Sequence, residues 1–178
     1  MWFNKKKSKK EEDLVEEMLE SAFVAASNNN DSGREETIDQ IVNETMAKLG
    51  SPMQQFNLGV SYHEKGDYAQ AFNYYRKAAL QGLPHAQVNL GMLYTYGQGV
   101  LQDDKEAIKW FRKATDQHFA DGYFKLGIMY ANGQGIKQDY QQAFKLVSLA
   151  AEQQHPDAIA IKETVAKRAV MERIQRGY

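Results

Sequence analysis

Two loops of this chain place glycines where a phosphate group could be cradled. The first is YTYGQGVLQDD (residues 94–104) and the second is YANGQGIKQDY (residues 130–140). A phosphate-binding glycine loop follows a β-strand, and its common ATP-binding form ends in Gly-Lys-Ser/Thr. In this chain a helical pattern precedes each loop, and no lysine-hydroxyl pair follows it. We therefore interpret Gly97 or Gly99 as a left-handed helix end, with Val100 packed into the core.

The histidines show no metal-binding arrangement. They are His63, His85, His118 and His155. None of them stands in a compact ligand spacing such as His-Glu-x-x-His. We expect most of them to be solvent-exposed turn residues, with a metal held by two converging histidines as the alternative.

Acids and thiols do not indicate catalysis either. Asp103 or Asp104 stands where a carboxylate caps the first N–H groups of a helix. Acid–base catalysis needs carboxylates paired in a pocket, and no spacing in the chain favours such a pair. The chain has no cysteine, which excludes thiolate nucleophiles, disulfides and zinc-thiolate sites. We predict no catalytic residue, no cofactor and no metal site.

The elements that carry these residues repeat along the chain. The pairs Leu58-Gly59, Leu90-Gly91 and Leu126-Gly127 are each followed by a tyrosine three residues after the glycine. An inward alanine follows in each unit, with a large apolar residue four positions later. This spacing is typical of tetratricopeptide repeats, in which each unit is a pair of helices. Tyrosine and alanine are nine residues apart in the first unit and thirteen in the other two. The later units therefore have a longer turn.

With this longer turn, residues 90–114 and 126–150 resemble the Sel-like repeat family, a relative of the tetratricopeptide repeat. The first unit, residues 58–79, departs from the family turn and is similar to an ordinary tetratricopeptide unit. The resemblance spans roughly residues 52–160. It implies an all-α fold, a short right-handed α-solenoid.

We place the repeat domain at 51–178, with units at about 54–85, 86–121 and 122–157. A capping helix over 158–178 follows. Its predicted polar face carries Lys162, Lys167, Arg168, Arg173 and Arg176. A polar outer face is what the end of a repeat array needs in water.

Residues 1–50 form a separate acidic arm in this interpretation. Apolar residues recur at i, i+3, i+4 spacing between Leu14 and Ala26 and again between Ile38 and Leu49. This pattern predicts two amphipathic helices, which join the solenoid as an N-terminal helical pair. Their apolar faces need a partner, either the solenoid itself or another protein.

Charge is unevenly distributed along the chain. Residues 1–10 carry five lysines and no acid, whereas residues 11–44 carry eleven acids against one base, a net of −10. Because the whole chain has a formal charge of −1, the remaining 134 residues carry +4. Bases in this body alternate with acids, so we do not expect nucleic acid as a partner.

The resemblance also implies a binding surface. In tetratricopeptide-like solenoids the first helix of each pair lines a concave groove. On the corresponding helix faces we predict nine groove residues: Phe56, Val60, His63, Val88, Met92, Tyr96, Phe124, Ile128 and Asn132. Exposed apolar patches of this extent mark binding surfaces. The alternative is that the N-terminal helices of the chain fill the groove.

We therefore predict a non-enzymatic adaptor or scaffold that binds a protein in this groove, as the mostly bacterial Sel-like repeat proteins do. One alternative is an immunity or inhibitor protein whose acidic arm steers it toward a basic toxin. Another is an adaptor that touches a membrane through Trp2, Phe3 and the lysines that follow, although the acidic block opposes attraction to lipid. A second copy could also close the groove as a homodimer. We expect a cytoplasmic location, because no secretory signal or membrane-length apolar run is present.

Overall fold

A computed structural model describes residues 50–177, and all elements in this range are α-helices. Their bounds are α1 Pro52–Glu64, α2 Tyr68–Leu80, α3 Pro84–Tyr96, α4 Asp104–Thr115, α5 Ala120–Asn132, α6 Tyr140–Glu152 and α7 Pro156–Gln175. Each helix packs chiefly on its neighbours in sequence, which makes the array an α-solenoid. The predicted all-α solenoid is confirmed for this range. The two helices predicted in the acidic arm lie outside the described residues.

The helices form three pairs and a final single helix. We call α1, α3 and α5 the A helices, and α2, α4 and α6 the B helices. The starts of units predicted at 86, 122 and 158 fall two residues inside α3, α5 and α7. Pro84 and Pro156 open two of these helices, since the first helical position needs no backbone N–H. The helical units therefore begin at 84, 120 and 156.

In the first two pairs, a glycine of the A helix lies under an aromatic side chain of the B helix. A Cβ placed at Gly91 would lie 2.5 Å from Cε1 of Phe111, and one at Gly59 would lie 2.6 Å from Cδ1 of Tyr75. Phe111 is consequently almost fully buried, with 1% of its surface exposed. The glycine thus allows the two helices of the pair to approach closely. This close approach lets each pair share one apolar core with the next.

The Gly-x-Gly loops end the A helices. Gly97 has a left-handed conformation (φ 65°), and its N–H donates a hydrogen bond to the carbonyl of Leu93. Gly99 is also left-handed (φ 69°), and Val100 packs against the core between α2 and α3. The carboxylate of Asp103 then accepts hydrogen bonds from the first N–H groups of α4. The structural interpretation of this loop, including Asp103 as the capping residue, is confirmed.

The second glycine of each loop also touches the preceding unit. A Cβ at Gly99 would overlap the backbone carbonyl of Tyr68, the first residue of α2. A Cβ at Gly135 would lie 2.7 Å from Cβ of Asp104, the first residue of α4. Each long loop therefore packs on the start of the B helix of the unit before it.

The last helix differs from the A helices that it follows. Lys162 and Glu163 occupy the positions of Leu126 and Gly127 one period earlier. The last helix, α7, therefore lacks the glycine on which a B helix packs in the earlier pairs. Its last turns lie on α6 instead, where the Glu172 carboxylate accepts a hydrogen bond of 3.0 Å from the backbone N–H of Tyr140. This helix end takes the place that a Gly-x-Gly loop occupies in the earlier units.

The outer face of α7 is less polar than predicted. Val170, Met171 and Ile174 are 59%, 65% and 66% exposed, among the basic residues expected there. The outer face of the last helix thus combines the predicted basic residues with exposed apolar side chains.

Candidate functional site

Two adjoining depressions run along the A helices. The first lies between α1 and α3 and has a volume of about 440 Å³. The second lies between α3 and α5 and has a volume of about 350 Å³. Met92 and Tyr96 line both, so α3 forms a shared wall. Tyr75 and Phe111 from the B helices contribute to their floors.

Seven of the nine predicted groove residues line these depressions. They are Val60, His63, Met92, Tyr96, Phe124, Ile128 and Asn132. Tyr96 is 63% exposed, which makes it the most prominent large side chain of the groove. The other two predicted residues, Phe56 and Val88, do not line either depression.

The expected exposure of the predicted set is wrong for Val88 and Phe124, which are 5% and 8% exposed. In the second and third units, the residue just before the next helix contributes to this burial. The Phe124 ring stacks on His155 with centroids 4.5 Å apart. Phe119 packs on the core cluster that contains Val88. Val88 therefore belongs to the core, and Phe124 lines the second depression with only a small part of its surface exposed.

Several lining residues were not predicted from the sequence. The polar ones are Glu64, Asn89, Thr95, Gln98, Lys125 and Gln134. A signal for Glu64 was present in the repeat itself. The first period is 32 residues and the second is 36, which makes Glu64 the counterpart of Tyr96 and Asn132. The predicted residue of the first unit, His63, therefore precedes the equivalent position by one residue.

A tyrosine hydroxyl lies at the floor of the first depression. Burial raises the pKa of Tyr75 to about 12, a hydrogen bond with Asn89 acts in the opposite direction, and the negative charge of Glu64 raises it further. The phenol is therefore neutral in ordinary buffers and does not act as a nucleophile.

The described contacts of His155 give this histidine a structural role. His155 caps α7: its Nδ1 accepts a hydrogen bond of 3.2 Å from the N–H of Ala158. Its Nε2 lies 3.0 Å from a carboxylate oxygen of Asp121, and its side chain is 11% exposed. The expected exposure is thus wrong for this histidine. In residues 50–177 no group of three or more His, Asp or Glu side chains gathers as a metal site would require.

The family follows from the repeats. The model of the Sel1 repeat matches residues 54–83, 84–119 and 120–155. The chain belongs to the Sel1 repeat family. The first Sel1 unit is included in spite of its short turn, which corrects its interpretation as an ordinary tetratricopeptide unit. Among helices of the described range, none has the length and hydropathy needed to cross a membrane.

Solved structures share the fold over most of the chain. A protective antigen present in uropathogenic Escherichia coli strains, displaying an SLR fold, is 26% identical with a TM-score of 0.72 and covers 89% of this chain. A Sel1 repeat protein from Oxalobacter formigenes is 42% identical with a TM-score of 0.61 and covers 64%. An uncharacterized protein of Neisseria meningitidis serogroup B is 39% identical over 66 residues, 36% of this chain. The chain spans 35% and 48% of the two solved chains and 14% of the Neisseria protein.

Proposed function

We propose that this Sel1 repeat protein is a non-enzymatic adaptor that binds an exposed segment of another protein in the groove along α1, α3 and α5. The observation that supports this most is the placement of Tyr96. Its ring stands 63% exposed at the boundary of both depressions, on a helix whose neighbouring side chains are apolar. Large exposed aromatic side chains beside apolar pockets are the residues that dominate binding energy in protein interfaces.

The shape of the groove favours an extended segment. The two depressions follow one another along the array, so a bound chain would place one side chain in each. Met92 forms part of both walls, and methionine adapts its shape to different apolar partners. Binding of this kind derives its affinity from side-chain burial at separate anchors.

Peptide selection on the full chain tests the proposal. A random-peptide library displayed on phage is selected against the immobilised protein, and affinities of selected peptides are measured by fluorescence anisotropy. We expect Tyr96→Ala to weaken binding by about tenfold or more, the effect of removing an aromatic hot spot. Leu101→Ala is the matched control, since Leu101 is 89% exposed but lines neither depression. Equal losses in the two variants would contradict a site in the groove.

A second candidate is an inhibitor that covers the active site of a basic toxin. The net charge of −10 in residues 11–44 favours this version, since a block of like charge steers a partner of opposite charge. A chain lacking these residues should bind such a partner with a reduced association rate and a weaker salt dependence. Unchanged association kinetics would contradict the role of the acidic block. A homodimer through the groove, membrane contact through the N-terminal lysines and a cytoplasmic location stay predictions.

A further inference from the structure

The two depressions occupy equivalent places in successive units. Val60 and Met92 line the first, and Met92 and Ile128 line the second. In each, a large side chain of the B helix forms the floor: Tyr75 in the first and Phe111 in the second. A bound chain therefore contacts the same arrangement of apolar side chains twice, one unit apart.

The charged residues that line the two depressions are opposite in sign. The first depression has the carboxylate of Glu64 in its wall, and no lysine or arginine among its lining residues. The second has the ammonium group of Lys125 and no acid among its lining residues. The residue at the position of Lys125 in the unit before is Asn89, a neutral amide. The charge thus changes from negative to positive between two otherwise similar sites.

The first depression also offers electron-rich surfaces. The exposed ring of Tyr96 lines it together with Glu64, and His63 lies edge-on to Tyr68 at its margin with centroids 5.1 Å apart. A cation is attracted both by a carboxylate and by the face of an aromatic ring. A lysine or arginine side chain would place its apolar stem along Val60 and Met92 and its charge near Glu64.

The second depression suits a carboxylate. The Lys125 ammonium lies 5.5 Å from the centroid of the Phe124 ring, which holds it at the edge of the apolar surface. The side-chain amide of Asn132 donates to Gln134 at 3.2 Å, so further N–H groups stand on the same wall. Ammonium and amide donors together stabilise a carboxylate by charge-assisted hydrogen bonds.

We infer that the groove recognises an extended protein segment that carries a basic side chain over the first depression and a side-chain carboxylate over the second. This inference rests on the proposed function. Helices in contact lie ~8–10 Å apart, and an extended chain advances ~3.3 Å per residue. Glu64 lies on α1 and Lys125 on α5, so two such helix spacings separate them, and the two charged side chains are roughly five to six residues apart. Because the order of the charges is fixed, the segment binds in one direction.

A charge exchange tests this order. The phage library is selected separately against the full chain, against Glu64→Lys/Lys125→Glu, and against the control Lys145→Glu/Glu152→Lys. The control exchanges one exposed base and one exposed acid of α6, outside the groove, so both double variants keep the net charge. Since the library peptides are fused to the coat protein at their C-termini, only side chains provide their carboxylates.

We expect the unmodified protein and the control to select peptides with a base and an acid in the same order. The exchanged groove should select the reverse order and bind the original peptides about tenfold or more weakly. Peptides that depend on Tyr96 but lack the charge pair, or keep their order after the exchange, would contradict this inference alone. Selection of no Tyr96-dependent peptide would contradict the groove and this inference together.

Discussion

At the scale of single residues, Tyr75 links the core to the candidate site. Its ring fills the space left by Gly59, and its own exposure is 2%. The hydroxyl group at the far end of the ring belongs to the floor of the first depression and is hydrogen-bonded to Asn89. Packing and a polar contact in the groove thus depend on the same side chain.

This placement predicts loss of stability at alkaline pH. Burial raises the pKa of Tyr75 from 10.0 to about 12, so the unfolded chain releases this proton first as pH rises. The stabilisation is fully present below about pH 10 and is lost as pH rises toward about 12. We expect the urea midpoint of the protein to fall over this interval, and Tyr75→Phe to reduce that fall. Tyr96→Phe serves as a control on an exposed tyrosine, and an identical fall in both variants would contradict the prediction.

Residues that have the same packing role in every unit could be predicted from the sequence. Residues whose burial or position depends on contacts with another unit could not. Gly91 could be predicted as a packing position from the repeated Leu-Gly pair, because a residue without a side chain lets a neighbouring helix approach closely. The burial of Val88 could not be predicted, since it depends on Phe119 from the next unit packing over the same core cluster. Glu64 and Lys125 stood in the sequence, but their relation appears only when two helices place them along one groove.

At the scale of elements, the long loops connect successive units as well as the helices of one pair. The duplication of Gly-x-Gly indicated a structural joint, and the left-handed conformations of its glycines confirm it. The contact of Gly99 with the start of α2 was not predictable, because the sequence does not show which helix end a loop meets. This contact places the loop of one unit directly on the start of the B helix of the unit before it.

Two alanine substitutions separate the cost of disturbing the contact with α2 from the cost of the left-handed backbone conformation. Gly66 and Gly99 both have positive φ, 79° and 69°, but a Cβ at Gly66 would meet no atom within 4 Å. We expect Gly66→Ala to cost about 1–2 kcal/mol of unfolding free energy from the left-handed backbone alone. Gly99→Ala should cost clearly more, because its Cβ would overlap backbone atoms of Tyr68 that cannot move independently of α2. Urea unfolding of both variants measures the difference, and equal costs would show that the loop does not brace α2.

At the scale of the whole molecule, α7 is the last described helix, and it packs on α6 and to a smaller extent on α5. Its first residues bring His155 over Phe124, which lines the second depression. Its last turns hold α6 through Glu172, and Gln141 donates a 2.7 Å hydrogen bond to the carbonyl of Ala169. Because repeat arrays are stabilised between neighbours, loosening this end should affect α6, α7 and the second depression before the first.

Two glutamates of α7 provide a matched test of this end contact. Glu172 and Glu163 each form an i,i+4 ion pair within the helix, with Arg176 and Lys167 respectively. Only Glu172 also binds α6, and its side chain is 16% exposed against 81% for Glu163. Loss of a hydrogen bond to a charged group costs about 1.5–3 kcal/mol, whereas an exposed ion pair contributes about 0–1 kcal/mol.

We expect hydrogen exchange in α6 and α7 to accelerate strongly in Glu172→Ala and little in Glu163→Ala, with α1 to α3 unchanged in both. Equal acceleration in the two variants would mean that α7 is held by its apolar contacts alone, and its polar contact with the start of α6 would then not be what closes the array.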